Sequence, residues 1–196
     1  AENNIGYNAY EIVVGTNESG ILNGLKKGES VLIDDGLVRG IVEKNKDGQI
    51  LVRLTRVSSK NNTLRDGKGI NFPDSRLLIS SLTEFDKSCI PFICKNADLI
   101  GYSSVRNPSD LAELQKILHT YSSKPPYIIL KVETPEAVKN LPALLLQGMH
   151  QKAFGVMIAR GDLAVEIGFE RMGEIQEEIL WICEAAHAPV IWATQV

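Results

Sequence analysis

A chain of 196 residues, 44% hydrophobic and 23% charged, has the composition of an ordinary globular protein and the length for one sizeable domain or two small ones. A formal net charge of −3 leaves no basic field for nucleic acid or an anionic membrane, and no stretch approaches the ~18 consecutive apolar residues of a membrane span, so neither partner is expected. The start, Ala1-Glu2-Asn3-Asn4, lacks the charged head and apolar run of a signal peptide, and Cys89, Cys94 and Cys183 form neither an even disulfide framework nor a metal pair. A reducing, cytoplasmic setting is therefore expected, in which the triplets Asn17-Glu18-Ser19 and Asn61-Asn62-Thr63 are not glycosylation sites.

From Glu11 to Val57 the apolar residues come in short runs split by turn signals: Glu11 to Gly15, Ser30 to Gly36, Leu37 to Val42 and Ile50 to Leu54. Lys46-Asp47-Gly48 between two of these runs predicts a hairpin, and residues 1–75 read as a small antiparallel β domain. The periodicity changes near residue 75, and residues 76–196 read as α/β. A helix is predicted from Thr83 to Asn96 with Ser81 or Thr83 as its cap, a strand from Ala97 to Ser103, and a helix from Pro108 to Thr120 opened by Asn107-Pro108. Strands follow at Tyr127 to Glu133 and Phe154 to Ala159, with a helix starting at Thr134-Pro135-Glu136 between them. A long helix from Gly168 to Ala186 precedes a last apolar run at Pro189 to Ala193. This alternation implies a parallel sheet, and four such strands make about half of an eight-stranded (β/α)8 barrel. The histidines His119, His150 and His187 read as solvated, and the cysteines as small buried hydrophobes.

Two strand ends carry the candidate chemistry. Lys131-Val132-Glu133 ends one apolar run, and Ala159-Arg160-Gly161-Asp162 follows another. Glu133 and Asp162 lie 29 positions apart, close to one βα unit, so neighbouring parallel strands would bring both carboxylates to one cavity. Two carboxylates with water and substrate oxygens suit Mg²⁺; the alternative is that both acids merely cap the helices that follow. Alternation puts Lys131 on the same face as Glu133, where a cation can neutralise a phosphoryl group, or simply form a surface salt bridge. Gly161 permits close backbone approach to an anionic substrate, while Arg160 reads equally as a structural ion-pair partner.

Lys131-Val132-Glu133, Met157 to Ile167 and Pro189 to Gln195 resemble, in order and spacing, the strand-end motifs of pyruvate kinase. Ile33-Asp34-Asp35-Gly36-Leu37 resembles that family's lid-domain exit, Lys68 to Pro73 its return to the barrel, and Ser103-Ser104-Val105-Arg106 the segment ending its fourth strand. The resemblance implies part of a (β/α)8 TIM barrel, about strands 4–7, preceded by a small β-rich lid. It implies Glu133 and Asp162 as ligands of Mg²⁺ or Mn²⁺, and Lys131 as the cation that stabilises the phosphoryl group in flight. The backbone around Ala159, Arg160 and Gly161 would receive the substrate carboxylate, Thr194 would lie near the carbon that is protonated, and Ser103 and Arg106 would line the pocket wall. The implied reaction converts phosphoenolpyruvate and ADP to pyruvate and ATP through a metal-bound enolate, the last step of glycolysis. K⁺ dependence and a homo-oligomer, a homotetramer in the family, come with the same resemblance.

Thr134, Ala164, Gly168 and Val196 stand where the family usually has Asn, Gly, Pro and Met. The family's first three barrel strands, with a substrate arginine and the monovalent-cation ligands, precede its lid, and its eighth strand and regulatory domain follow the position of Thr194. The chain is therefore expected to be a fragment, incomplete for activity alone. Two other readings compete: a metal-dependent aldolase or lyase that passes through a pyruvate enolate, which the lid segments disfavour, and a paralogue that binds without turnover, against which Lys131, Glu133 and Asp162 argue.

Overall fold

The turn-punctuated first half of the chain pairs into one antiparallel sheet and the apolar runs of the second half into one parallel sheet, in a computed structural model that describes residues 12–16, 20–46, 48–58, 63–75 and 80–193. Two compact units result, residues 1–79 and residues 80–196.

In the first unit, β1 (Ser30–Ile33), β2 (Val38–Lys46), β3 (Gln49–Val57) and β4 (Ile70–Asn71) are arranged in the order β3-β2-β1-β4, every neighbour antiparallel. The expected hairpin joins β2 to β3, with Lys46 opposite Gln49 and Gly48 at φ +78°, the left-handed backbone that a two-residue hairpin loop demands. Asp34, Asp35 and Gly36 between β1 and β2 are all left-handed, at φ +53°, +55° and +77°; the Leu37 N–H donates to the Asp34 carbonyl at 3.0 Å, and Lys68 pairs with the Asp34 carboxylate at 2.8 Å. Leu25, Val31, Val42 and Phe72 form the small core of this unit. The run from Glu11 to Gly15 does not become a strand over its described part: Ile12 to Thr16 make no ladder, and Val13 is 91% exposed. β-branched residues favour a strand only where a neighbouring strand and a core receive them.

In the second unit, β5 (Leu99–Tyr102), β6 (Tyr127–Val132), β7 (Phe154–Ala159) and β8 (Val190–Ala193) form a parallel sheet in chain order. The connecting helices are α1 (Glu84–Asn96), α2 (Pro108–Tyr121), α3 (Pro135–Lys139), α4 (Leu141–Gly148), α5 (Arg160–Ile167) and α6 (Met172–Ala185). Thr83 and Asn107 cap α1 and α2 through reciprocal capping boxes with Asp86 and Asp110. Ile128, Leu130 and Val132 of β6 and Val156 and Ile158 of β7 are fully buried in one core with Leu111, Leu118, Leu141, Leu144 and Ile179 from the helices. Ile129, Lys131 and Met157 alternate with them on the less covered face. A run of parallel strands in chain order with helices on one face is the arrangement of part of a (β/α)8 barrel.

The sequence reading needs two corrections here. Arg160 to Ile167 is a helix, whereas no element was expected there, and the long helix begins at Met172 instead of Gly168. Gly168, at φ +88°, ends α5, and a single 3-10 turn at Phe169–Arg171 separates it from α6. No helix among the described residues is long and apolar enough to cross a membrane.

Candidate functional site

β5 and β6 are hydrogen-bonded in parallel register, Gly101 beside Ile129 and Tyr102 beside Leu130, so the residues that follow emerge together at the carboxyl end of the sheet. The Lys131 stem lies over Gly101, where a Cβ would sit 3.5 Å from its Cδ. Its ammonium donates to Ser103 Oγ at 2.8 Å and pairs with Glu133 Oε1 at 2.6 Å. Two residues apart on extended backbone, Lys131 and Glu133 share a face, and that face supports this contact.

Glu133 is only 8% exposed. A carboxylate buried so deeply requires both charge compensation and hydrogen bonds. Lys131 supplies the first; the Ser104 backbone N–H, donating to Oε2 at 2.7 Å, supplies the second. Ser104 is one of the few non-glycine residues held in the left-handed region, at φ +56°. Thus Lys131, Glu133, Ser103 and Ser104 form one bonded cluster.

The cap reading of Glu133 fails on this geometry. The hydroxyl of Thr134 caps α3, accepting from the Ala137 N–H at 3.2 Å, and Glu133 turns toward β5 instead. Asp162 is an exposed acid in the first turn of α5, whose N-cap position is taken by Ala159, a residue with no side chain to bond the first N–H groups. β6 and β7 are level, Val132 beside Ile158, so Glu133 and the β7–α5 junction stand at equivalent ends of adjacent strands. Ala159 is buried, and Arg160 and Gly161 are half-buried at that junction. Thr194 lies outside the described residues.

The loop from Ser103 to Asn107 is fixed from three sides. Val105 is fully buried, the Arg106 N–H donates to Asp110 Oδ2 at 2.9 Å, and the Arg106 carbonyl accepts from Asn140 Nδ2 at 2.8 Å. Tyr102, whose phenol pKa is raised chiefly by burial, donates to the Asp110 carbonyl at 3.3 Å. Arg106 is thereby placed beside the cluster through its backbone, with its side chain half-buried. Sequence reasoning overlooked Ser104, Asp110 and Asn140. The Asn107-x-x-Asp110 spacing is a readable signal for the second; Ser104 acts through its own N–H and Asn140 through a side-chain amide on a distant carbonyl, which no local pattern announces.

Among the described residues no group of three His, Cys, Asp or Glu side chains converges. Two hard carboxylate oxygens with open positions are nonetheless the donor set that Mg²⁺ accepts, since it completes its octahedron with water and substrate oxygens. Glu133 and Asp162 fit that chemistry in ligand type.

Comparison with known proteins gives the family of the chain. Residues 2–196 match the family model described as pyruvate kinase, barrel domain. The chain is 37% identical over 179 residues to a pyruvate kinase of Bacillus licheniformis, covering 90% of this chain and 29% of that protein. It is 34% identical over 173 residues to a pyruvate kinase of Clostridium perfringens, covering 88% and 35%, and 31% identical over 179 residues to one of Staphylococcus saprophyticus, covering 90% and 29%. It spans about a third of the length of these curated relatives. With the lysine and carboxylates at the ends of consecutive parallel strands, and a family match running nearly from end to end, this chain belongs to the pyruvate kinase family.

Proposed function

We propose that this chain carries the metal-binding and phosphoryl-binding part of a pyruvate kinase site, serving transfer of the phosphoryl group of phosphoenolpyruvate to ADP. The observation that supports this most is the contact of Lys131 with Glu133 at 2.6 Å, at the end of β6 and level with the β7–α5 junction that holds Asp162. Glu133 and Asp162 would hold Mg²⁺ or Mn²⁺, which when bound supplies positive charge to oxygens that become more negative during transfer. Lys131 adds a fixed cation for the phosphoryl group, kept in place by Ser103 and by its stem over Gly101. The backbone at Ala159, Arg160 and Gly161 receives the substrate carboxylate, with Ser103 and Arg106 at the pocket wall and Thr194 near the carbon that is protonated. Residues 1–75 take the role of the family's lid and 76–196 that of its barrel. K⁺ dependence, assembly into a homo-oligomer and a cytoplasmic setting, with which the free cysteines Cys89, Cys94 and Cys183 accord, belong to the same proposal.

The test separates the phosphoryl role from the metal role. Calorimetric titration with Mg²⁺ present compares phosphoenolpyruvate with oxalate, an enolate mimic that has no phosphoryl group. Lys131→Met is expected to weaken phosphoenolpyruvate at least about tenfold while leaving oxalate within about twofold. Equal loss of both ligands, or of neither, contradicts the assignment.

A further inference from the structure

Both oxygens of Glu133 are already engaged, and by partners of different kinds. Oε1 meets the Lys131 ammonium at 2.6 Å, a contact between two side chains, one of which can swing on four methylenes. Oε2 meets the Ser104 N–H at 2.7 Å, a contact with backbone that Val105, Asp110 and Asn140 pin in place. Ser104 makes this contact at φ +56°, a conformation that non-glycine residues seldom adopt and that persists where the surroundings over-determine it. Strain of this kind next to a functional carboxylate is a reason to look for a role.

We propose that Ser104 is a positioning residue: its left-handed backbone anchors Glu133 through Oε2, leaving Oε1 as the exchangeable contact that passes from Lys131 to a divalent cation. This rests on the metal reading given above. With a divalent cation held by Glu133, the Lys131 ammonium would keep its contact with Ser103 Oγ and would be free of Glu133 to meet a phosphoryl group. The anchor acts through the N–H and the backbone angle; the Ser104 hydroxyl has no part in it. Glycine at this position should therefore serve as well as serine, whereas residues that resist a positive φ should not.

The experiment has a metal-free and a metal-bound arm, both on the 196-residue chain. In the first, the Ser104 amide proton, bonded to a carboxylate at short distance, is expected far downfield in a ¹⁵N-correlated spectrum, and Glu133→Gln should move it upfield. In the second, Mn²⁺ affinity is read by electron paramagnetic resonance. Ser104→Gly should bind within about twofold of the parent. Ser104→Pro, which removes the N–H and fixes a negative φ, should bind at least tenfold more weakly with an unchanged far-ultraviolet spectrum. If the proline variant does not fold, Ser104→Val, whose branched side chain disfavours the same backbone, takes its place. An amide indifferent to Glu133→Gln overturns the inference. So does a proline or valine variant that binds like the parent, or a glycine variant that loses as much as either. Failure of the metal reading looks different: the parent chain would bind no Mn²⁺ that Glu133→Gln abolishes, while the amide shift would still decide whether the anchor exists.

Discussion

The two units of this chain solve the same problem, covering a four-stranded sheet, with very different amounts of apolar material. In residues 80–196, helices cover one face so completely that Ile128, Leu130, Val132, Val156 and Ile158 are all fully buried, and the parallel registers run without interruption. In residues 1–79, the core is Leu25, Val31, Val42 and Phe72; the long hairpin carries two register irregularities and β3 leaves most of its residues exposed. The candidate chemistry lies on the strand ends of the heavily packed unit. A strained backbone such as that of Ser104 and a buried carboxylate such as Glu133 can be held where the surrounding core over-determines the geometry.

Core truncation tests that contrast with the largest effect. Leu130→Ala, at a fully buried site, should cost the second unit about 2–5 kcal/mol, whereas Leu25→Ala, in the smaller core, should fall near the lower end of that range. Both tryptophans, Trp181 and Trp192, lie in the second unit, so urea unfolding followed by their fluorescence should shift for Leu130→Ala and stay in place for Leu25→Ala. A shared shift would show that the units unfold as one.

A smaller effect is expected where the loop beside the site meets α2. Asn107→Ala removes one half of a capping box and should cost about 0.5–2 kcal/mol, seen in the same fluorescence transition. The pH dependence offers a third test. Burial raises the Cys183 thiol from its ordinary 9.0 to about 11, so the folded state holds that proton more tightly than the unfolded state does. The associated stability is fully present below pH 9 and is lost as pH rises toward 11, and Cys183→Ala should make that decline shallower. The smallest effect belongs to the exposed Arg53–Glu43 pair of the hairpin: Arg53→Ala should change stability by less than about 1 kcal/mol and weaken further as a signal in high salt.

The legible parts of the fold were those with local causes. Asp47-Gly48 announced the hairpin, Thr83 and Asn107 announced their helices, and the apolar runs announced β6 and β7. Helix α5 went unread because Leu163, Ala164 and Val165 are buried in succession, which blurs the helical period, and because Gly161 in its first turn is a poor helix former. Ile12 to Val14 misled in the opposite sense, carrying strand-forming residues at positions without a ladder. In the site, the shared face of Lys131 and Glu133 follows from alternation alone, and the structure joins them. The anchor at Ser104 does not follow from any pattern, since a serine in left-handed backbone is set by the packing of Val105 and the bonds to Arg106 on either side of its backbone.

Water-proton relaxation of Mn²⁺ with and without oxalate reads whether the Glu133 carboxylate at the end of β6 helps to hold a divalent cation and through it an enolate-like ligand. The chain should bind Mn²⁺, oxalate should tighten that binding, and Glu133→Gln should abolish both effects in a protein whose tryptophan fluorescence is unchanged. Mn²⁺ binding that is indifferent to oxalate, or equal in the folded Glu133→Gln variant, would show that Glu133 is no ligand of such a cation.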